Sequence, residues 1–68
     1  MEDLIWGRRI RAFRKLKGFT QEDFAKRIEI SVSVLGEIER GNRKPTEDLI
    51  GRVTTTLGVT VEDLTSIK

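Results

Sequence analysis

Residues 20–41, TQEDFAKRIEISVSVLGEIERG, contain two short amphipathic helical patterns with almost no chain between them. Thr20 and Ser31 are favourable N-cap residues, and each stands just before an apolar repeat of helical period. Only Glu29 and Ile30 lie clearly between the two patterns. Because so short a connection favours a steep crossing over an antiparallel hairpin, the segment predicts two helices held at a sharp corner.

Glycine and proline divide the whole chain into five predicted helices. These helices cover about residues 3–17, 21–28, 32–40, 47–57 and 61–67. The first has an apolar stripe at three- and four-residue steps, formed by Trp6, Ile10, Phe13 and Leu16. Gly18 and Gly58 stand where a helix end takes a left-handed residue. Since no strand pattern occurs, the sequence predicts an all-α fold in a single domain, residues 1–68.

Composition excludes several classes of site. The 68 residues include no cysteine, histidine or tyrosine, so disulfide and zinc supports are absent and the common acid–base and thiol groups of enzymes are missing. We therefore predict no enzyme activity and no cofactor. No run of about 18 apolar residues occurs, which argues against a membrane span. The acidic start, MEDLIW, does not resemble a secretory signal, so we expect a soluble, cytoplasmic protein.

The basic residues are unevenly distributed along the chain. Residues 1–45 hold 11 Lys and Arg against 7 Asp and Glu, whereas residues 46–68 hold 2 against 4. A basic segment of this kind suggests a polyanionic partner. Solvated helix faces would give the same pattern, so charge alone does not decide between the two interpretations.

The segment TQEDFAKRIEISVSVLGEIERGNRKP resembles the helix-turn-helix of the Cro/phage-repressor (Xre-like) family. RRIRAFRKLKGFTQ before it and LIGRVTTTLGVTVEDL after it are similar to that family's first, fourth and fifth helices, so the resemblance spans about residues 5–65. Its signature is TQE, Ala25, an apolar residue at position 35, IERG and LGV at consistent spacings. The resemblance implies a compact five-helix repressor-like domain, in which helices two and three form the helix-turn-helix at about residues 20–41.

By position, the resemblance places the outward face of helix three in the major groove of DNA. The residues implied there are Ser31, Val32, Ser33, Gly36 and Glu37. Val32 is expected to touch a thymine methyl group, and Ser33 to form a hydrogen bond with either a donor or an acceptor on a base edge. Glu37 is expected to accept a hydrogen bond from a cytosine amino group. Gly36 would let the helix lie close to the bases. None of these is the strong bidentate arginine–guanine contact, so DNA shape is expected to contribute to specificity. A solvated face is the alternative for Ser33 and Glu37.

Contacts with DNA phosphates are expected beside that face. Gln21 begins helix two, where its side-chain amide can meet a phosphate. Asn42, Arg43 and Lys44 follow helix three in the loop that the family lays along the DNA backbone. Arg11 is a further candidate. A merely solvated loop is the alternative for the residues after helix three.

Two further positions concern the geometry of the corner. Arg14 and Glu39 match the residues that form an interhelical ion pair in phage repressors, which would orient helix three; two separately solvated charges are the alternative. Glu29 departs from the family, which often has glycine there because the turn residue tends to adopt a positive φ. A side chain at that position carries strain of about 1 kcal/mol.

The function implied is that of a transcriptional repressor that binds double-stranded DNA sequence-specifically. It would act as a homodimer on a palindromic operator, with half-sites about 34–36 Å apart. The dimer surface would be built from the loop after helix three or from the last two helices. That last part of the chain contains apolar residues beyond the need of a small monomer, namely Val59, Val61, Leu64 and Ile67. The alternative is an antitoxin or adaptor module that mainly binds a partner protein and autoregulates its own operon.

Overall fold

A computed structural model describes the backbone of residues 2–65 and the side chains of residues 5–64. Within these residues the helices are α1, Glu2–Leu16; α2, Gln21–Arg27; α3, Val32–Glu39; α4, Glu47–Leu57; and α5, Val61–Thr65. No strand occurs in this part of the chain, and the predicted all-α fold is confirmed. The ends of α1 to α4 lie within one residue of the prediction, while the predicted end of α5 lies outside the described residues. None of the described helices has the length and apolar character that crossing a membrane requires.

Side-chain caps fix the starts of α2, α3, α4 and α5. At each start a hydroxyl oxygen accepts a hydrogen bond from the backbone N–H three residues later. The bonds join Thr20 to Asp23 at 3.0 Å, Ser31 to Val34 at 3.1 Å, Thr46 to Leu49 at 3.2 Å and Thr60 to Asp63 at 3.0 Å. The Asp63 carboxylate also accepts from the Thr60 N–H at 3.0 Å, which completes a capping box. Each cap satisfies a backbone donor that the helix itself leaves unpaired.

The apolar core receives side chains from every one of these helices. Its buried members are Ile10, Phe24, Ala25, Ile28, Leu35, Ile38, Leu49, Val53, Leu57 and Leu64. At the start of α2 the Phe19 and Phe24 rings pack with their centroids 5.5 Å apart, which forms the hydrophobic staple that this spacing predicts. Ala25 on α2 is buried in the same core.

The packing of α5 changes the prediction of a dimer surface. Leu64 is wholly buried within one chain, so it belongs to the core and the prediction that it helps to form the dimer is wrong. Val59 packs partly against the same core. Val61 remains 48% exposed, and Ile67 lies outside the described residues. Within the described residues, the fold of a single chain therefore accounts for Leu64 and for part of Val59.

Gly7 is the point at which α1 touches the C-terminal end of α3. A Cβ atom added at Gly7 would overlap the carbonyl oxygen of Ile38 and lie 2.7 Å from that of Glu39. The two backbones thus meet with no side chain between them, which only glycine allows. Nothing in the sequence distinguishes Gly7 from the other helical glycines, and its role appears only in the packed structure.

The turn between α2 and α3 places Glu29 in the left-handed region, with φ at 63°. The Ile30 N–H donates to the Ala25 carbonyl oxygen at 3.0 Å and the Glu29 N–H to that of Lys26 at 3.2 Å, which is a Schellman ending of the helix. Glycine is the usual residue at this position because it carries no Cβ. An exposed ion pair from Arg52 to Glu29, 3.6 Å long, contributes little to offset the strain.

Glu29→Gly is expected to raise the free energy of unfolding by up to about 1 kcal/mol, because the left-handed strain disappears while the greater unfolded-state entropy of glycine offsets part of the gain. Glu29→Ala is the matched control, since it removes the carboxylate and keeps the strain. Urea unfolding followed by circular dichroism measures both. If Glu29→Gly and Glu29→Ala have the same free energy of unfolding, then any change from the wild type comes from the loss of the Glu29 side chain and not from the relief of backbone strain.

Candidate nucleic-acid interface

A buried ion pair fastens the C-terminal part of α3 to α1. Arg14 Nε donates to Glu39 Oε2 at 2.7 Å, and Arg14 Nη2 donates to Glu39 Oε1 at 3.1 Å. The two side chains are only 7% and 2% exposed. Arg14 Nη1 also donates to the Phe19 carbonyl oxygen at 2.8 Å, and the Gln21 amide nitrogen donates to Glu39 Oε1 at 3.0 Å. The pair that the resemblance implies is thus present and joins α1, the start of α2 and the end of α3.

This pair is expected to fix the direction of α3 more than to raise net stability. Taking both charges out of water costs several kcal/mol, which the fork-shaped pairing and the added hydrogen bonds offset. Because the contact at Gly7 lies beside Glu39, the two features together fix the distance and the angle between α1 and α3.

The two sides of α3 differ sharply in exposure. Leu35 and Ile38 are each 1% exposed and enter the core. Ser31, Val32 and Ser33 at the opposite, N-terminal end are exposed, Val32 by 42%. The start of the helix is therefore presented to solvent while its back is held. Base contacts at these three residues stay predictions.

Gly36 is not open to solvent, as direct contact with DNA bases would require. A Cβ atom added there would lie 3.2 Å from Nη1 and 3.9 Å from Cζ of Arg40. The guanidinium group of Arg40, one turn later, occupies the space in front of this glycine. In this conformation Arg40 covers Gly36, and a close approach of α3 to the bases at Gly36 stays a prediction.

Glu37 and Arg43, two predicted DNA contacts, bind each other. Arg43 Nε donates to Glu37 Oε1 at 2.7 Å, and the side chains are 53% and 40% exposed, respectively. A carboxylate held by arginine is less available to a cytosine amino group. An exposed pair contributes only about 0–1 kcal/mol, so DNA can separate it. The contact of Arg43 with Glu37 uses Nε, so the two Nη groups stay available to a ligand.

The remaining predicted phosphate contacts lie at the edges of this surface. Gln21 is half-buried and uses its amide nitrogen within the chain. Asn42 and Lys44 are exposed in the loop after α3. Arg11 is exposed and lines an open depression together with Gln21 and Arg40. Phosphate binding by these residues stays a prediction.

Arg40 is a candidate that sequence reasoning missed. Ser33, Glu37 and Arg40 are separated by steps of four and three residues, and that spacing places them on one face of a helix, with Gly36 four residues before Arg40. The spacing was therefore sufficient to include Arg40 with the outward-facing residues. The spacing does not indicate that the Arg40 side chain folds back over the middle of α3.

Known proteins share both the sequence and the fold of this chain. The profile of the HTH_3 family, described as helix-turn-helix, matches residues 10–64. The uncharacterized HTH-type transcriptional regulator YazB from Bacillus subtilis (strain 168) is 61% identical over 64 residues, which cover 94% of this chain and 93% of YazB. These regulators agree with the prediction that the chain is not an enzyme.

Two crystal structures resemble the fold closely. The clp gene regulator ClgR from Corynebacterium glutamicum has a TM-score of 0.91 and 31% identity, over 94% of this chain and 68% of that one. The restriction-modification controller protein C.AhdI from Aeromonas hydrophila has a TM-score of 0.86 and 31% identity, over 91% of this chain and 94% of that one. Together with the profile match, these likenesses show that the chain belongs to the helix-turn-helix (HTH_3) family, the Xre/Cro-like DNA-binding transcriptional regulators.

Proposed function

We propose that this protein is a sequence-specific transcriptional repressor that binds double-stranded DNA as a homodimer, with residues 1–68 as one domain and α3 in the major groove. The observation that carries the proposal is that one side of α3 is anchored in the core while its N-terminal turn faces solvent. Leu35 and Ile38 are buried on one side of the helix while Ser31 to Ser33 are exposed at its start. Reading base edges requires side chains on a rigid element with locked geometry. The expected place of action is the cytoplasm.

The first turn of α3 supplies the proposed base contacts. Val32 is an exposed apolar side chain suited to a thymine methyl group, and the Ser33 hydroxyl can donate to or accept from a base edge. Ser31 remains beside them as the cap, since its hydroxyl already accepts from the Val34 N–H. Glu37 reaches a cytosine only where its pair with Arg43 opens.

Phosphate contacts are proposed for the basic and amide side chains around α3. They are Arg11, Gln21, Asn42, Arg43 and Lys44. Four of the five are exposed, and all belong to the basic segment of the chain, residues 1–45. Such contacts set the orientation of a protein on the duplex and supply most of the salt-dependent affinity.

A homodimer would present two copies of α3 to half-sites one DNA turn apart, about 34–36 Å. Val61 is the apolar α5 residue that remains exposed in the described part of the chain once Leu64 is assigned to the core. We propose that the dimer contact includes this side of α5. Sedimentation equilibrium of the wild type and of Val61→Asp tests this, and a dimer unaffected by the charge would place the contact elsewhere.

Selection of bound DNA from a random double-stranded pool tests the function directly. We expect one short motif to be enriched twice in each bound molecule, related by two-fold symmetry and centred one turn apart. A single unpaired motif would contradict the homodimer. Absence of any enriched motif would contradict sequence-specific reading and would favour a module that mainly binds a protein partner.

Arg43→Ala is expected to weaken binding to every sequence and to make the slope of log affinity against log salt less negative by about 0.9, because one phosphate contact is lost. Ser33→Ala is expected to change the ranking of sequences with little effect on that slope. Fluorescence anisotropy with labelled DNA, between about 50 and 200 mM salt, measures both.

Arg52→Ala is the charge-matched control for Arg43→Ala. It removes one positive charge from α4, where Arg52 pairs with Asp48 at 3.0 Å, and the salt slope should stay at the wild-type value. If Arg43→Ala and Arg52→Ala give the same slope, Arg43 does not contact a phosphate.

A further inference from the structure

The side chain of Arg40 lies back along α3. Nη1, Cζ and Nη2 of its guanidinium group lie 3.2, 3.9 and 4.0 Å from the position of a Cβ added at Gly36. Long side chains on a helix cover the turn that precedes their own Cα, and the absence of a side chain at Gly36 leaves room for this one. The guanidinium group therefore rests over the middle of α3 and not beyond its C-terminal end.

Three arginines of this region differ in what their guanidinium groups bind. Arg14 donates to the buried Glu39, and Arg43 donates to Glu37. Within the residues that the structure describes, the side chain of Arg40 has no hydrogen bond or ion pair. Since a guanidinium group carries five N–H donors in a planar fork, Arg40 can offer the whole set to a ligand.

The position of this fork favours a base over a phosphate as its ligand. Arg40 shares the outward face of α3 with Ser33 and Glu37, neither of which can make a bidentate contact with guanine. The loop after α3 contains Arg43 and Lys44, which are the basic side chains proposed to bind the DNA backbone. Arg40 also borders the depression lined by Arg11 and Gln21, so phosphate is the competing ligand that an experiment must separate.

We propose that Arg40 is a specificity-determining residue that reads a guanine in the major groove, and that Gly36 allows its guanidinium fork to lie against α3. The fork matches the O6 and N7 acceptors of guanine, which form the commonest specific arginine contact with DNA. The role found for Gly36 is thus to make space for a reading side chain. The inference rests on the proposed function, since it requires α3 to enter the groove.

Selection from a random DNA pool with the wild type and with Arg40→Gln tests the assignment. The wild type is expected to enrich a guanine at one position of each half-site, and the variant is expected to lose that preference. Affinity of the variant for the best wild-type site should fall about 5- to 150-fold. Replacing that guanine with 7-deazaguanine removes the N7 acceptor, and it should weaken the wild type without weakening Arg40→Gln further.

Gly36→Ala tests the role of the glycine. The new methyl group would stand 3.2 Å from Nη1 of Arg40, so the fork must move and the guanine preference should decrease. The melting temperature should not fall, because alanine is the better helix former. Gly51→Ala in α4 is the matched control, since nothing lies within 4 Å of a Cβ added there, and it should leave the preference unchanged.

The outcomes separate this inference from the proposed function. If Arg40→Gln weakens all sequences equally and keeps the guanine preference, Arg40 binds phosphate and the inference is overturned. Equal weakening of both proteins by 7-deazaguanine overturns it as well. If the wild type enriches no sequence at all, the proposed function fails together with the inference, whereas an unchanged motif for Arg40→Gln overturns the inference alone.

Discussion

Arg14→Met is expected to lower the free energy of unfolding by about 3–5 kcal/mol, because Glu39 would stay buried without its cation. The Phe19 carbonyl oxygen would lose its donor as well. A domain of this length without disulfides rarely has more than about 3–5 kcal/mol of stability, so the variant should be largely unfolded at room temperature. Thermal and urea unfolding followed by circular dichroism measure the loss.

Two further variants test whether the loss of stability in Arg14→Met comes from the buried pair. The double variant Arg14→Met with Glu39→Leu replaces both charges with apolar side chains and should recover most of the stability. Arg43→Ala breaks the exposed pair with Glu37 and should change stability by no more than about 1 kcal/mol. If Arg14→Met unfolds like Arg43→Ala, the buried pair does not hold α3 in the manner described.

Gly7→Ala is expected to destabilise the fold by at least about 3 kcal/mol, the upper end of the usual cost of overpacking, since the new methyl group meets backbone and not a side chain that can turn away. The better helix propensity of alanine returns only about 1 kcal/mol. Because α1 must move away from α3, the Arg14–Glu39 pair should also be strained. Urea unfolding provides the measurement.

Gly51→Ala supplies the comparison for Gly7→Ala, because it makes the same chemical change in a helix with open space around the added methyl group. It should raise the free energy of unfolding by about 1 kcal/mol. Opposite signs for the two variants would establish the close approach at Gly7. A stabilising effect of both would mean that α1 and α3 lie further apart than the structure shows.

Local chemistry makes the helix starts predictable from the sequence. A cap joins residues three positions apart, so Thr20 and Ser31 can be identified without knowledge of the fold. The αL turn at Glu29 could be anticipated because the family pattern marks that position. The pair between Arg14 and Glu39 spans 25 positions of sequence, and no local pattern indicates it. It could be predicted only because the surrounding residues resemble a known family.

Other features depend on what lies opposite in the folded chain. Gly7 looks like any helical glycine until α3 is placed against it. The spacing of Arg40 marks its face of α3, yet the direction of a long side chain follows from the space left at Gly36. Leu64 shows the same limit, because a count of apolar residues does not tell whether the same chain or a second copy covers them.

The side chains that anchor α3 and those that it shows to solvent are different residues. Leu35, Ile38 and Glu39 hold the helix, whereas Val32 and Ser33 make no part of that anchorage. Under the proposed function, substitutions at positions 32 and 33 are therefore expected to change target preference without lowering the free energy of unfolding. A library randomised at these two codons should consist mostly of folded proteins, which makes the scaffold suitable for engineering regulators with chosen targets.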